Sequence, residues 1–211
     1  IDEESGRLSG SPEPVSMPAT WSGHYSFSAD GRQLAFQAVD YRTDVARIAF
    51  DAGAGGVTGS PEPVLRGSRE VIAFDVSPDG NWLVFQQRGT QDDIFVAKID
   101  GAGLRQLTDD AFRDRGPEWS PDGERIAFYS NRTGRYEIWA IRPDGSGLEQ
   151  ITASSASDFW FPHWSRDGGR IAASGTSGSY IVVPGGSPGA TKIERLPLVS
   201  AAEFFRVSGW S

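Results

Sequence analysis

Five side chains of different charge recur at one place in this 211-residue sequence, two residues before a serine. They are Ser26, Asp75, Glu118, His163 and Arg206. Carboxylate oxygens and imidazole nitrogens bind several divalent cations, so Asp75, Glu118 and His163 predict a shared cation site. The alternative, which we favour, is a hydrated polar row in which Arg206 pairs with a carboxylate.

Nucleophilic catalysis would need a serine and a base that can be paired. His24 and His163 are the only histidines, and no Gly-x-Ser-x-Gly segment occurs. The segments 175–178 and 185–187 are ordinary Gly/Ser loops. The sequence therefore predicts no catalytic residue and no enzyme activity in this chain.

Composition excludes further classes of partner and site. Twenty Lys and Arg against 28 Asp and Glu give a net charge of -8 and a pI near 4.8, which disfavours nucleic acid. There are no cysteines, so disulfides and thiolate metal sites are excluded. No apolar run reaches the roughly 18 residues of a membrane-spanning helix.

An internal repeat positions the five residues that precede the serines. The element Ser-x-Asp-Gly begins at Ser28, Ser77, Ser120 and Ser165, at spacings of 49, 43 and 45 residues, and Ser208 opens a further copy. Asp-Gly supplies the positive-φ residue of a tight hairpin. A period of this length is typical of one β-propeller blade.

The copy around Ser120 shows the plan of a unit most clearly. Residues 117–120 predict a first strand and 126–130 a second one after the Asp-Gly turn. Residues 136–141 predict a third strand and 148–152 an outer fourth strand. Each unit is therefore a four-stranded antiparallel sheet.

The whole chain, 1–211, is predicted to be one all-β propeller domain with four complete blades and two partial ones. The complete blades span about 21–66, 71–108, 114–152 and 159–197, and the partial ones 1–16 and 198–211. The first blade contains a longer turn, from Asp51 to Pro63. Unfinished blades leave open sheet edges, so we expect a longer parent chain or self-association.

The repeat resembles the PD40 repeats of the TolB-like propeller family. The resemblance is carried by Trp119-Ser-Pro-Asp-Gly, Ile126-Ala-Phe, Ser130-Asn-Arg, Glu137-Ile-Trp and Gln150-Ile-Thr, and it extends from about Ser11 to Ser208. It implies a bacterial ring of roughly six to eight blades that binds a protein or peptide, without a cofactor apart from a cation in some channels.

The same resemblance implies a periplasmic or other extracytoplasmic location. It leaves two other functions open: the substrate-gating propeller of a prolyl oligopeptidase-type serine peptidase, and the sensor propeller of a bacterial kinase or regulator. In both, any catalytic domain would lie outside this chain, because a shared fold does not fix a function.

Aromatic and arginine residues in the loops at one end of the blades are the candidate binding residues, since such side chains often anchor interfaces. These candidates at the channel mouth are Arg113, Arg115, Trp160, Tyr41, Arg132 and Tyr136. Trp160 has an alternative role in packing between blades. Trp119 and Trp164, directly before the turn serines, are assigned to the core between blades.

Overall fold

The computed structural model describes residues 21–27, 34–39, 42–89, 91–185 and 191–197. These residues form strands, turns and loops, and they include no helix long and apolar enough to cross a membrane. The chain divides into two compact units, Ile1–Tyr41 and Arg42–Ser211.

The first unit contains β1 (Trp21–Phe27) and β2 (Leu34–Val39), which pair antiparallel. The second unit opens with β3 (Arg42–Asp51) and β4 (Gly56–Arg69), an antiparallel pair of their own.

Three four-stranded antiparallel sheets follow in the second unit, each with its strands in chain order. The first sheet contains β5 (Val71–Val76), β6 (Trp82–Arg88), β7 (Asp92–Lys98) and β8 (Arg105–Gln106). The second contains β9 (Asp114–Trp119), β10 (Ile126–Ser130), β11 (Glu137–Ile141) and β12 (Glu149–Gln150). The third contains β13 (Phe159–Trp164), β14 (Ile171–Gly175), β15 (Gly178–Val183) and β16 (Lys192–Arg195).

The predicted all-β propeller class is confirmed, because sheets of this kind packed face to face are propeller blades. The first predicted blade, 21–66, is an exception in the described residues: it consists of two two-stranded sheets instead of one four-stranded sheet. The predicted partial blades, 1–16 and 198–211, lie outside the described residues.

The long turn predicted from Asp51 to Pro63 is wrong. The turn is short, because one carboxylate oxygen of Asp51 accepts the backbone N–H groups of Gly53 and Ala54. The chain then continues as β4, and the guanidinium of Arg47 on β3 pairs with Glu62 at 2.7 Å. Because the turn is short, the pairing of β3 with β4 continues through residues up to Pro63 that the sequence analysis assigned to the turn.

Each Ser-x-Asp-Gly turn is held by its own side chains. The Ser77 hydroxyl donates to Asp79 at 2.5 Å and accepts the N–H of Trp82 at 2.9 Å. The hydrogen bond from Ser77 lowers the pKa of the Asp79 carboxyl. Ser120 with Asp122 and Ser165 with Asp167 repeat this arrangement, so the turn aspartates have a structural role.

The Leu-Thr and Ile-Thr pairs of the repeat close the outer edge of a blade. The Thr108 hydroxyl accepts the N–H of Ile94 at 3.0 Å, and the Thr152 hydroxyl accepts that of Ile138 at 2.9 Å. A threonine thus continues the ladder by its side chain where β8 and β12 have only two residues each.

The core lies between successive sheets. Val84, Ile94 and Val96 of the first sheet pack against Trp119 and Phe128 of the second. The second and third sheets meet through a similar cluster, which contains Ile138, Phe159, Trp164, Ile171 and Val182. Trp119 and Trp164 are only 6% and 5% exposed, which confirms their assignment to the core between blades.

Candidate functional site

The acidic residues of the polar row join one innermost strand to the next. A carboxylate oxygen of Asp75 on β5 accepts the backbone N–H of Trp119 on β9 at 2.8 Å. Glu118 on β9 accepts the N–H of Trp164 on β13 at the same distance. Each carboxylate therefore accepts a backbone N–H of the next innermost strand, which has a partner strand on one side only.

His163 adds a second contact to this row. Its Nδ1 lies 2.5 Å from the other carboxylate oxygen of Glu118. Burial raises the pKa of Asp75, and the charge of Glu118 raises it further. In the part of the chain that the structure describes, no group of three such side chains is arranged to hold a metal ion. A cation shared by Asp75, Glu118 and His163 stays a prediction.

Three of the six predicted binding residues lie together at the loop end of the second and third sheets, opposite the serine turns. The Arg115 guanidinium lies 5.9 Å from the centre of the Tyr136 ring, and the Tyr136 and Trp160 rings are 6.5 Å apart. All three side chains are half-buried. Arg115 is fixed by Asp92, a buried carboxylate 2.5 Å away.

Arg132 does not belong to this surface, although the sequence placed it there. Its side chain is 9% exposed, and its guanidinium donates to both carboxylate oxygens of Asp114, at 2.9 and 2.8 Å. It also pairs with Asp110 and lies 5.0 Å from the ring centre of Trp139. The loop of residues 131–136 folds back over its own blade, which turns this arginine inward.

The two remaining candidates are less informative. Arg113 is exposed, and its backbone N–H donates to the Asn131 side chain at 2.8 Å, which places it beside the loop of residues 131–136. Tyr41 lies outside the described residues.

Two further aromatic residues of this region, Tyr129 and Phe161, were not among the six candidates. The buried Tyr129 lies edge-on to Tyr136, with ring centres 5.5 Å apart, and edge-on to Phe161 at 5.4 Å. Phe161 has a φ of 52°, a left-handed conformation that costs a non-glycine residue about 1–2 kcal/mol. The sequence signal for the conformation of Phe161 is the repeat. Gly116 precedes a proline one blade earlier, at the position equivalent to Phe161.

We define the aromatic surface as Tyr136, Trp160 and Phe161, which are half-buried around Tyr129. Arg115 borders it, and the side chain of Gln86 reaches it from the first sheet by accepting the N–H of Gly116 at 3.1 Å. Trp160 and Phe161 lie on β13 and Tyr136 directly precedes β11, so two adjacent sheets hold the rings, which suits the surface to binding through shape.

An acidic cluster lies near this end of the first sheet. Asp93 and Glu137 occupy the same place in successive blades, and Glu137 accepts hydrogen bonds from the Thr152 hydroxyl and from the Ser154 N–H. Asp93 is one carbon shorter, and its hydrogen-bond partner within the described residues is the Thr108 hydroxyl, at 3.4 Å. Burial, together with the charges of Asp114, Asp109 and Asp110, raises the pKa of Asp93 to about 6.

We expect Asp93→Asn to stabilise the protein more at pH 7.5 than at pH 4.5. The folded state holds the Asp93 proton up to about pH 6 and the unfolded chain only to about 3.8, so ionisation costs stability as pH rises through that window. The gain at pH 7.5 should be about 1 kcal/mol after allowance for solvent screening. Urea unfolding at both pH values measures it.

Glu124→Gln, an exposed acid outside this cluster, is the matched control and should show no such pH dependence. Equal effects of Asp93→Asn at the two pH values would contradict the assigned role of Asp93.

Comparison with known proteins places these repeats in a family. The model of the PD40 family, described as the TolB beta propeller domain, matches residues 11–190. An uncharacterised protein of Agrobacterium fabrum is 46% identical over 79 residues, which are 37% of this chain and 27% of that protein. The Tol-Pal system protein TolB of Syntrophus aciditrophicus is 39% identical over 59 residues, 28% of this chain and 13% of that protein.

Among solved structures, a protein of Agrobacterium tumefaciens assigned as TolB superposes with a TM-score of 0.56 at 22% identity. The match covers 82% of this chain and 80% of that one. At this identity the likeness is one of fold. The matched segments span about a quarter or less of the length of the two curated relatives.

Proposed function

Because the chain belongs to the TolB beta-propeller domain family, we propose that it is a non-catalytic platform that binds a protein or peptide at the aromatic surface. The observation that carries the proposal is the contact between Arg115, Tyr136 and Trp160, which come from two sheets and remain half-buried. Aromatic and arginine side chains in such places contribute strongly to protein interfaces.

The mechanism is complementarity on a fixed scaffold. Tyr136 is held by its backbone N–H, which donates to Asp158 at 3.1 Å, and by the ring of Tyr129. The binding side chains are thus ordered before the partner arrives, which lowers the entropy lost on binding. No covalent step is part of this function.

The proposal extends to location and assembly. Likeness to a Tol-Pal system protein favours a place outside the cytoplasm for this platform. Self-association, expected from the sequence, stays a prediction. The expected route, pairing through the unfinished blades, lies outside the described residues.

Trp160→Ala should weaken the binding of peptides that the protein selects from a random displayed library, because it removes the largest ring of the aromatic surface. We expect at least about tenfold weaker binding, the loss typical of an interface anchor. Binding is measured by calorimetry with peptides enriched on the wild-type chain.

Trp82→Ala is the matched control, since Trp82 is also half-buried but lies beside the serine turn at the other end of its sheet. The control should bind the selected peptides normally. If the library yields no specific peptide, or if both variants bind alike, the aromatic surface is not the binding site.

A further inference from the structure

The hairpin of β3 and β4 is longer than the corresponding part of any complete sheet. These strands have 10 and 14 residues, whereas the third and fourth strands of the four-stranded sheets have at most 7 and 4. At the base of the hairpin, Val45, Val64 and Leu65 are buried in the core. Residues 46–63, which we call the arm, are exposed apart from the half-buried Gly56. The arm therefore projects from the core instead of packing on it.

One face of the arm carries an apolar stripe. Ile48 and Phe50 are two residues apart on β3, so their side chains lie on the same face, and Val57 on β4 pairs directly with Phe50. These three side chains are 40%, 64% and 64% exposed. A two-stranded hairpin is at best marginally stable in water unless something covers its apolar face. The stripe therefore indicates an interface.

The edge of β3 is better suited to accept another strand than the edge of β4. The arm part of β4 contains Pro61 and Pro63, and proline has no N–H to donate to a neighbouring strand. Among the described residues, β4 is the one strand that pairs with β3. The segment of β3 from Arg47 to Asp51 contains no proline, so each of its residues has both backbone groups available for a ladder.

The side chains along this edge are self-complementary. From Arg47 to Asp51 they are a cation, an apolar residue, alanine, an apolar residue and an anion. If two copies of β3 pair antiparallel about Ala49, Arg47 lies opposite the partner's Asp51. The same register places Ile48 opposite the partner's Phe50. Cross-strand pairs of opposite charge and of apolar side chains both stabilise a sheet, whereas a centre at Ile48 or Phe50 would place a charged residue opposite alanine.

The charges of the arm permit a second copy to approach. The Nε and Nη2 atoms of Arg47 donate to Glu62 on the same arm, and a guanidinium has five N–H donors, so it can also contact a second carboxylate. Asp51 uses one carboxylate oxygen to accept two backbone N–H groups of its turn. The arm has Arg47, Asp51 and Glu62 as its charged residues, a net charge of -1 in a chain of -8. Repulsion between copies is therefore small at this place.

We propose that the arm is a self-association surface, on which β3 of one copy pairs antiparallel with β3 of a second copy about Ala49. The two hairpins form one four-stranded sheet, and Ile48, Phe50 and Val57 of both copies form one apolar face. A ladder this short buries less area than a standard interface, so the dimer is weak and depends on concentration. The arm shares no residue with the aromatic surface, and this inference does not rest on the proposed binding function.

Analytical ultracentrifugation of the full chain, from about 1 μM to 1 mM, measures the dissociation constant of the dimer. Phe50→Lys places a charge opposite Ile48 of the second copy, and we expect it to weaken the dimer at least about tenfold. Val57→Lys is the matched control, because Val57 is equally exposed on the same face but lies on β4. Its effect should stay below about threefold, and both variants should keep the Tm of the wild type.

A cysteine introduced at the centre of the pairing tests the register. The chain contains no cysteine, so Ala49→Cys supplies one thiol per copy, and in a dimer centred there the two Cα atoms lie within disulfide range. Thr58→Cys is the control, since Thr58 pairs with Ala49 on β4. In the dimer its two copies lie three strand spacings, about 14 Å, apart. Oxidation should link Ala49→Cys at least about tenfold faster than Thr58→Cys.

A monomer at every concentration would overturn the proposal. A dimer that Phe50→Lys leaves unchanged would also overturn it, and would indicate association through the unfinished blades. Equal rates of cross-linking in the two cysteine variants would contradict pairing about Ala49. None of these outcomes bears on the proposed peptide binding, which is tested separately through Trp160.

Discussion

Replacing Arg132 with alanine should lower the free energy of unfolding by about 3–5 kcal/mol, the cost of leaving one partner of a buried ion pair alone. Asp114 has no exposed side-chain surface, and both of its carboxylate oxygens accept hydrogen bonds from Arg132. The guanidinium also packs on Trp139 and pairs with Asp110, so packing is lost together with charge. Urea unfolding measures the change.

Arg135→Ala is the control, because Arg135 lies in the same loop but is exposed, and its effect should stay within about 0.5 kcal/mol. A double variant, Arg132→Met with Asp114→Asn, should recover part of the loss, since it removes the unpaired buried charge of Asp114. A small effect of Arg132→Ala would mean that the loop reorganises and exposes Asp114 to water.

Gly101→Ala should destabilise the protein by about 3–4 kcal/mol, as the sum of backbone strain and overpacking. Gly101 has a φ of 84°, and an added Cβ would lie well inside van der Waals contact with the carbonyl oxygen of Val64. Val64 is a buried residue of β4, so its backbone cannot move away without disturbing the core against β6.

Gly145→Ala separates the two contributions. Gly145 occupies the same Asp-Gly turn one blade later with a φ of 87°, but its added Cβ would meet only a Leu107 methyl group at 3.9 Å. We expect a loss of only about 1–2 kcal/mol, the cost of the left-handed backbone. Thermal or urea unfolding of the pair gives the difference; equal losses would show that Val64 yields to the new side chain.

The elements of this fold that depend on local chemistry could be predicted from the sequence. Serine, aspartate and glycine within four residues make the turn at Ser77, and Ser120 and Ser165 repeat it. Alternating apolar residues between these turns indicated the strands. The prediction failed between Asp51 and Pro63, where hydrogen bonds to Asp51 and the pairing of Arg47 with Glu62 extend a hairpin through a Gly- and Pro-rich segment.

The candidate site could be predicted only in part. Arg115, Tyr136 and Trp160 were chosen for their residue types and loop positions, and the structure brings them together. Arg132 was chosen by the same rule but lies inside the blade. Residue type and position cannot separate these cases, because Asp114, which decides where Arg132 points, is 18 residues away in the chain.

Repeat period, turn chemistry and the exclusion of several partner classes follow from the sequence, since each depends on residues close together in the chain or on composition. The strain at Phe161, the pairing of Asp75 and Glu118 with the next strand, and the unequal space beside Gly101 and Gly145 arise in the tertiary structure. Each depends on atoms of a neighbouring blade. Residues that pack between blades lie about one repeat apart in the chain, so no local sequence pattern predicts these contacts.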